Sequence, residues 1–495
     1  MRVCVHCIDN RSPGREMNSI VSRLRSIMPL GVTIALASLA AIGSALSPVA
    51  AAPEIVNGRN FAGQFDPEHF AHAAGAVGPT RYIQFVNREF AIYSCATLST
   101  APISAGTLND FNGQGAGVAS DNPQIIWDAA TNRFYYAMTS RSGTTNFLSY
   151  GWSKTASPNS PDDFCYSPIT LADEVPTSPK LGDSRDFVLV GYNMLRAGSF
   201  VDAQVLIRPK PPAGSSCVSS GVSYIMSLRD SANNKVLSPV AVNGIDSWAW
   251  GYVVARNFTL PSNKLWLIGV TRGANGVPVL GPAKALTLPF SYAQPPPAGQ
   301  HVDAFTLDTG DASPSQAVVA RNPDRGNAFS LWTQHTVERA GYSAVRWYEI
   351  NPVSRPPLLL RQGLISAPGL FFYNAAISPD RSVEGTTGAF GDSFVIQFNR
   401  SGVPRTGTLH PQIRMGSSFN GEPLSYAKVV DGQAPYSDST CEFSGRGCLW
   451  STFSACTPDP RPPRTGRGAV WCTNVFAGPQ GASGNWRTQT FSVKP

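Results

Sequence analysis

The densest charge in this sequence lies in Gly182-Asp183-Ser184-Arg185-Asp186, where three charged side chains fall within four positions. Carboxylates beside an arginine can hold a polar or charged ligand, or act as acid and base. Gly391-Asp392 repeats the Gly-Asp pair, and Asp121 opens another strand-like run in Asp121-Asn122-Pro123-Gln124. Asp121, Asp183, Arg185, Asp186 and Asp392 are therefore the candidate ligand-binding residues. The competing reading is that these carboxylates accept from backbone amides at strand entries and tie neighbouring segments together.

Other chemistry fits the spacing less well. Asp66-x-Glu68-His69-x-x-His72 gathers potential metal ligands, but not in the order that places zinc beside a general base. It reads as a solvated stretch ahead of the first strands. His301, His335 and His410 stand alone, with no Ser or Cys nucleophile motif nearby. The glycine-rich turns lack the phosphate-cradling spacing. Asp308-Thr309-Gly310-Asp311 and the acids of 431–438 offer oxygens to Ca²⁺ without matching a Ca²⁺ loop, so turn chemistry is the reading taken for both. No metal site and no cofactor is expected.

The elements that must carry these residues are set by composition. Gly and Pro number 45 and 41 in 495 residues, about 17% of the chain, with 14% charged and 10% aromatic side chains. Disorder would need more charge and fewer aromatics, and neither a collagen period nor a charged heptad array is present. Each Gly or Pro costs a helix interior roughly 1–3 kcal/mol, so long helices are excluded too. A large, turn-rich, all-β protein remains.

After residue 52 one phrase recurs: an aromatic and β-branched strand, a polar turn, a second strand. The markers Ile83, Phe134, Phe187, Trp248, Phe329, Phe394 and Val470 are separated by 51, 53, 61, 81, 65 and 76 residues. Such a strand-only unit predicts a β-propeller of six or seven four-stranded blades over 74–495. Tandem β-sandwiches are the alternative. The longest step holds 286–300, with its Pro295-Pro296-Pro297 run, read as a surface connection between blades.

Residues 26–53 carry no charge, follow Arg23 and Arg25, and end in Val49-Ala50-Ala51, with small residues at the −3 and −1 positions of a cleavage site. Residues 1–51 are thus expected to hold a secretory signal peptide, with Met17 a more natural start than Met1, and 52–73 to approach the first blade. An uncleaved membrane anchor is the competing reading of the apolar run. Removing 1–51 takes five Arg and two acids from a net charge of +7, leaving about +4, too weak and scattered to imply nucleic acid. Exported cysteines default to disulfides. Cys441–Cys448 and Cys456–Cys472 are the expected pairs, and of Cys95, Cys165 and Cys217 two can pair, leaving a buried thiol.

The stretch from Ala74 to Asn87 with Phe90-Ala91-Ile92-Tyr93, the run Asp121–Asp128, Trp152–Pro158 and the two Gly-Asp pairs together resemble secreted bacterial propellers of the sialidase-like superfamily. The resemblance covers most of 70–490 and implies the propeller fold. The sialidase Asp-box, Ser-x-Asp-x-Gly-x-x-Trp, and the Arg-Ile-Pro segment are absent. Trp450-Ser451-Thr452-Phe453-Ser454 stands where related propellers read Trp-Gly-Asp-Tyr-Ser, so that acid is missing. Sialidase-type chemistry pairs a Tyr nucleophile with a carboxylate; the resemblance would assign these roles to Tyr436 with Asp186 or Asp392. The expectation is a secreted or periplasmic, non-catalytic propeller that binds an extracellular glycan or surface protein. It is expected as a monomer, without nucleic acid and without membrane insertion after cleavage. A sialidase-like glycoside hydrolase and a structural envelope protein are the alternatives.

Overall fold

Short apolar runs punctuated by turn residues form antiparallel strands because each pair satisfies its backbone groups across a tight turn. Two such hairpins turn on Ala197-Gly198 and Ala340-Gly341, whose positive φ angles of 49° and 75°, and 51° and 82°, match the right-handed strand twist. A computed structural model describes residues 53–495 other than 67–70, 96–99, 113–116, 213, 216, 218–221, 245–247, 301–304, 382–390, 404–408, 444, 462–467 and 481–483. The signal-type segment 1–51 with Met17, and Glu68, His69 and His301, fall outside the described residues.

The strands form seven antiparallel sheets, the blades of a β-propeller. Blades one to six span 73–107, 119–172, 175–227, 236–292, 314–365 and 370–430. Blade seven joins 455–494 to Glu54–Ala62, which pairs with Trp486–Lys494. Glu54–Ala62, within the stretch expected ahead of the first blade, thus supplies the outer strand of the last one. The sequence markers fall at or near the second strand of each blade, one marker per blade. The segment expected as a connection at 286–300 differs: Lys284–Tyr292 is a strand pairing the third strand of blade four, and only the residues after Tyr292 form a link.

The innermost strand of each blade packs on that of the next, and the last packs on the first, which closes the ring and excludes tandem sandwiches. Cores lie between adjacent blades. Ile83 of blade one packs with Trp127 and Phe134 of blade two, and Trp152 of blade two with Val190 of blade three. Trp152, Trp332 and Trp486 are wholly buried, so most of the aromatic content is blade packing.

A repeated bulge sets where the ring's axis-facing side chains point. In the inner strands of blades two, three, four and six the register breaks at Asp121/Gln124, Thr177/Lys180, Leu237/Val240 and Tyr373/Ala376. Each break holds one left-handed residue, Asn122, Ser178, Ser238 or Asn374, with φ of 54°, 51°, 49° and 47°. Pro123, Pro179, Pro239 and Ala375 follow them. A bulge leaves residues unpaired and re-aims the next side chain. The positions re-aimed here are Gln124, Lys180, Val240 and Ala376, of which Lys180 alone is charged.

Three disulfides fasten the blades: Cys165–Cys217, Cys441–Cys448 and Cys456–Cys472. The last spans directly opposed residues of the blade-seven ladder. Cys95 is the buried free thiol, and burial pushes its pKa up to about 12, which makes it unreactive.

Candidate functional site at the mouth of the ring

Where the inner strands begin, the ring opens into a cavity of about 380 Å³ whose lining includes Ser178, Lys180, Ser238, Asp311, Asn374 and Thr452. A narrow channel of about 30 Å³ is lined by inner-strand residues including Ala74, Gln124, Lys180, Val240, Gln316 and Ala455. Lys180 lines both spaces, at the throat between them.

The bulge at Ser178 aims Lys180 toward the axis, and its surroundings are unusual for a lysine. The residue is 8% exposed. Its Nζ lies 3.5 Å from the centroid of the Phe453 ring and donates one long hydrogen bond, 3.5 Å, to the Thr452 carbonyl oxygen. Among the described residues no carboxylate forms an ion pair with it. Burial lowers its pKa to about 7, against the opposing pull of Asp311. Phe453 also packs on His72, ring centroids 4.3 Å apart, and His72 Nδ1 lies 3.9 Å from Asp121 Oδ1. Burial brings His72 down to about 4, partly offset by Asp121, so its ring is neutral at physiological pH. Phe453 and Thr452 lie just ahead of Ala455–Pro458, the innermost strand of blade seven. An aromatic ring and a carbonyl, rather than a paired carboxylate, face the lysine's charge.

The remaining lining is rich in hydroxyls and amides. Asp308 and Asp311 reach the cavity already engaged, with Arg446 at 3.1 Å and Arg256 at 3.3 Å. The acids of 431–438 are likewise occupied: Asp431 pairs with Arg414 and Lys428, and Asp438 accepts from the Tyr436 hydroxyl at 2.6 Å. Asp438, Cys441 and Cys448 lie close enough to hold an ion, but both sulfurs are spent in their disulfide and offer no thiolate.

Of the five sequence candidates for ligand binding, only Asp121 lies at this end. The other four belong to the end where the inner strands finish. Asp183 is 3% exposed; its Oδ2 is 2.8 Å from Lys210 Nζ and its Oδ1 accepts from the Gly244 amide at 2.8 Å. Lys210 is also 2.9 Å from Asp128, so a buried Asp128–Lys210–Asp183 triad ties blade two to blade three. Burial raises the Asp183 pKa, and Lys210 opposes that rise. Asp186 meets Arg185 at 3.2 Å and Arg272 at 3.4 Å, two half-exposed arginines. Asp392 Oδ1 accepts from Arg361 at 2.7 Å and from Asn322 at 2.9 Å. Burial raises the Asp392 pKa and Arg361 opposes it. The same Arg361 binds Glu349 at 2.5 Å, which joins blades five and six. Asp183 and Asp392 are thus engaged by cations and amides of adjoining blades, and Asp186 by two surface arginines.

Tyr436 is 1% exposed, packed on Trp450, and burial raises its pKa far above the ordinary tyrosine range. Its carboxylate partner is Asp438; neither Asp186 nor Asp392 reaches it. Lys180 and Phe453 are the residues that motif reasoning passed over. The signal that could have found Lys180 was the recurring Asn/Ser-Pro pair at 122, 178, 238 and 313, which marks the inner-strand openings and makes the lysine of Ser178-Pro179-Lys180 the odd member; nothing local marks Phe453.

No family model and no curated protein matches this sequence. Among solved structures the chain is similar, at low scores, to sialidase-like and glycoside hydrolase propellers. A neuraminidase-like protein of subtype N11 from a flat-faced bat influenza virus is 7% identical with a TM-score of 0.37, over 75% of this chain and 98% of that one. An N-acetylgalactosamine deacetylase from F. plautii is 10% identical with a TM-score of 0.32, over 90% and 96%. An exo-β-1,3-galactanase from Phanerochaete chrysosporium is 12% identical with a TM-score of 0.30, over 90% and 99%.

Proposed function

We propose that this chain is an exported β-propeller that binds an extracellular glycan in the mouth of its ring and does not cleave it. The observation that carries the reading is the split between the two ends. The hydroxyl-rich cavity holds a lysine that no carboxylate pairs with among the described residues, its two lining acids Asp308 and Asp311 each face an arginine, and the other candidate carboxylates, Asp183, Asp186 and Asp392, lie at the far end. A glycoside hydrolase brings two carboxylates, or a Tyr–carboxylate pair, within about 5–10 Å around an open site. A concave space of this size suits a sugar unit better than a flat protein surface. Its Ser, Thr and Asn groups can donate to and accept from sugar hydroxyls. Lys180 then completes its hydrogen bonds with an acceptor that the ligand brings. Export is supported by the three disulfides and the leader-type N-terminus. Among the described residues no helix is long and apolar enough to cross a membrane.

One observation favours a hydrolase instead: Asp308 and Asp311 both line the cavity. Each already faces an arginine, which argues for a structural part in holding the rim. The test is a glycan-array screen of the secreted chain, run beside a panel of chromogenic glycosides. The expected outcome is saccharide binding without turnover, weakened at least about tenfold by Lys180→Met, as for loss of a charged hydrogen bond. Turnover abolished by Asp311→Asn would replace this reading with the hydrolase. Silence in both screens would leave the structural envelope role.

A further inference from the structure

Blade six carries a ladder of cations that nothing in the mouth explains. Arg414 on its third strand lies opposite Phe398 on one side and opposite Lys428 on the other. Arg400 follows Phe398 by two positions, so it shares that face and stands diagonal to Arg414. Like charges set across from one another destabilise a sheet. Among the described residues the ladder's ion pairs are to one acid, Asp431, 3.1 Å from Arg414 and 2.8 Å from Lys428. Three cations against one acid leave two positive charges.

These cations wall a cleft of about 440 Å³ between blades five and six. Phe398 and Leu364 form its apolar side, and Tyr426, 56% exposed, stands 6.4 Å from Phe398 at its rim. The Nε atoms of Arg400 and Arg414 are buried donors with no acceptor among the described residues. A buried donor without a partner costs roughly 1–3 kcal/mol, so two of them beside one another call for an acceptor-rich guest. Burial and the neighbouring Arg414 also weaken Arg400's hold on its proton, the electrostatic sign of cations held together without enough counter-charge.

We propose that this cleft is a second binding site, separate from the mouth, for the sulfate or carboxylate groups of an acidic polysaccharide. A guanidinium presents its donors in a planar fork that matches two oxygens of a sulfate or carboxylate. The exposed face of Tyr426 gives the attached sugar ring a surface to stack on. Sulfate and carboxylate share this chemistry, and an exported chain meets both on acidic polysaccharides.

Calorimetric titration of the full secreted chain at low salt tests the site with four probes. These are a heparin-derived hexasaccharide, hexagalacturonate, inorganic sulfate and neutral cellohexaose. The expected result is binding of one or both acidic hexasaccharides, at least about tenfold tighter than cellohexaose or inorganic sulfate. Preference between the two names sulfate or carboxylate as the group read. Arg414→Gln and Arg400→Gln should each weaken that binding about tenfold. Lys428→Glu, at an exposed position, should do the same and serves if an arginine variant fails to fold. Acidic hexasaccharides bound no better than the neutral one, or bound equally by wild type and Lys428→Glu, would overturn the proposal. Inorganic sulfate bound as tightly as the saccharides would reduce the cleft to a simple anion site and overturn the polysaccharide assignment.

Discussion

At the end of the ring where the inner strands finish, the buried acids sit among donors. Asp128 and Asp183 share Lys210, and Asp392 and Glu349 share Arg361. Arg381 reaches across to the carbonyls of Asn243, Gly244 and Val319. At the end where the inner strands begin, Lys180 has an aromatic ring, one long hydrogen bond and an open cavity. The contrast separates charges that a ligand can reach from charges that it cannot. A carboxylate saturated by neighbouring blades contributes to cohesion, and leaving either partner alone in the interior is costly. A buried ammonium held by an aromatic face still has donors to give.

The largest effect should come from the saturated end. Lys210→Met leaves Asp128 and Asp183 facing each other in a buried space and is expected to destabilise the chain by about 3–5 kcal/mol, read by denaturant unfolding. A loss below about 1 kcal/mol would mean that the triad does not hold blades two and three. Lys180→Met should act in the opposite direction. The folded-state pKa near 7 lies below the ordinary 10.5, so the unfolded chain binds the proton more tightly between those values. The ammonium therefore weighs fully against folding below pH 7, and this burden is lifted as pH rises toward 10.5. Methionine should raise stability on the order of 2 kcal/mol near pH 6, with the gain fading by pH 10. An equal gain at both pH values would show that packing, not the buried charge, is responsible. Asp186→Ala is the smallest change. Its arginine partners are more than half exposed, so the loss should stay under about 1 kcal/mol with saccharide binding intact. A lost ligand signal would return the Asp183–Asp186 cluster to the functional site.

Much of the fold was legible because it is written in local terms. Strand and turn residues alternate within each blade, and the markers from Ile83 to Val470 fall once per blade. Cys456 and Cys472 bracket a hairpin, so their pairing could be read from spacing, as could that of Cys441 and Cys448 across a short loop. Cys165 with Cys217 could not be selected over Cys95, since the choice depends on how far apart blade positions lie in space. The strand Glu54–Ala62 was also hidden. Nothing local says that a segment near the N-terminus pairs with Trp486–Lys494.

The site was less legible for a physical reason. Charge density drew attention to Asp183–Asp186, yet density along the chain says nothing about whether a charge is already paired across blades. Lys180 is a single lysine in a chain with few of them, and its spacing resembles no motif. Its character comes from the bulge at Ser178, from Phe453 more than 270 positions away, and from burial at the axis. The strand-turn repeat, the aromatic blade cores and two of the disulfides are set by the order of residues alone, since each depends on neighbours along the chain. Which charges are paired and which face a cavity is set by the closed ring, because burial and long-range pairing arise when distant blades meet.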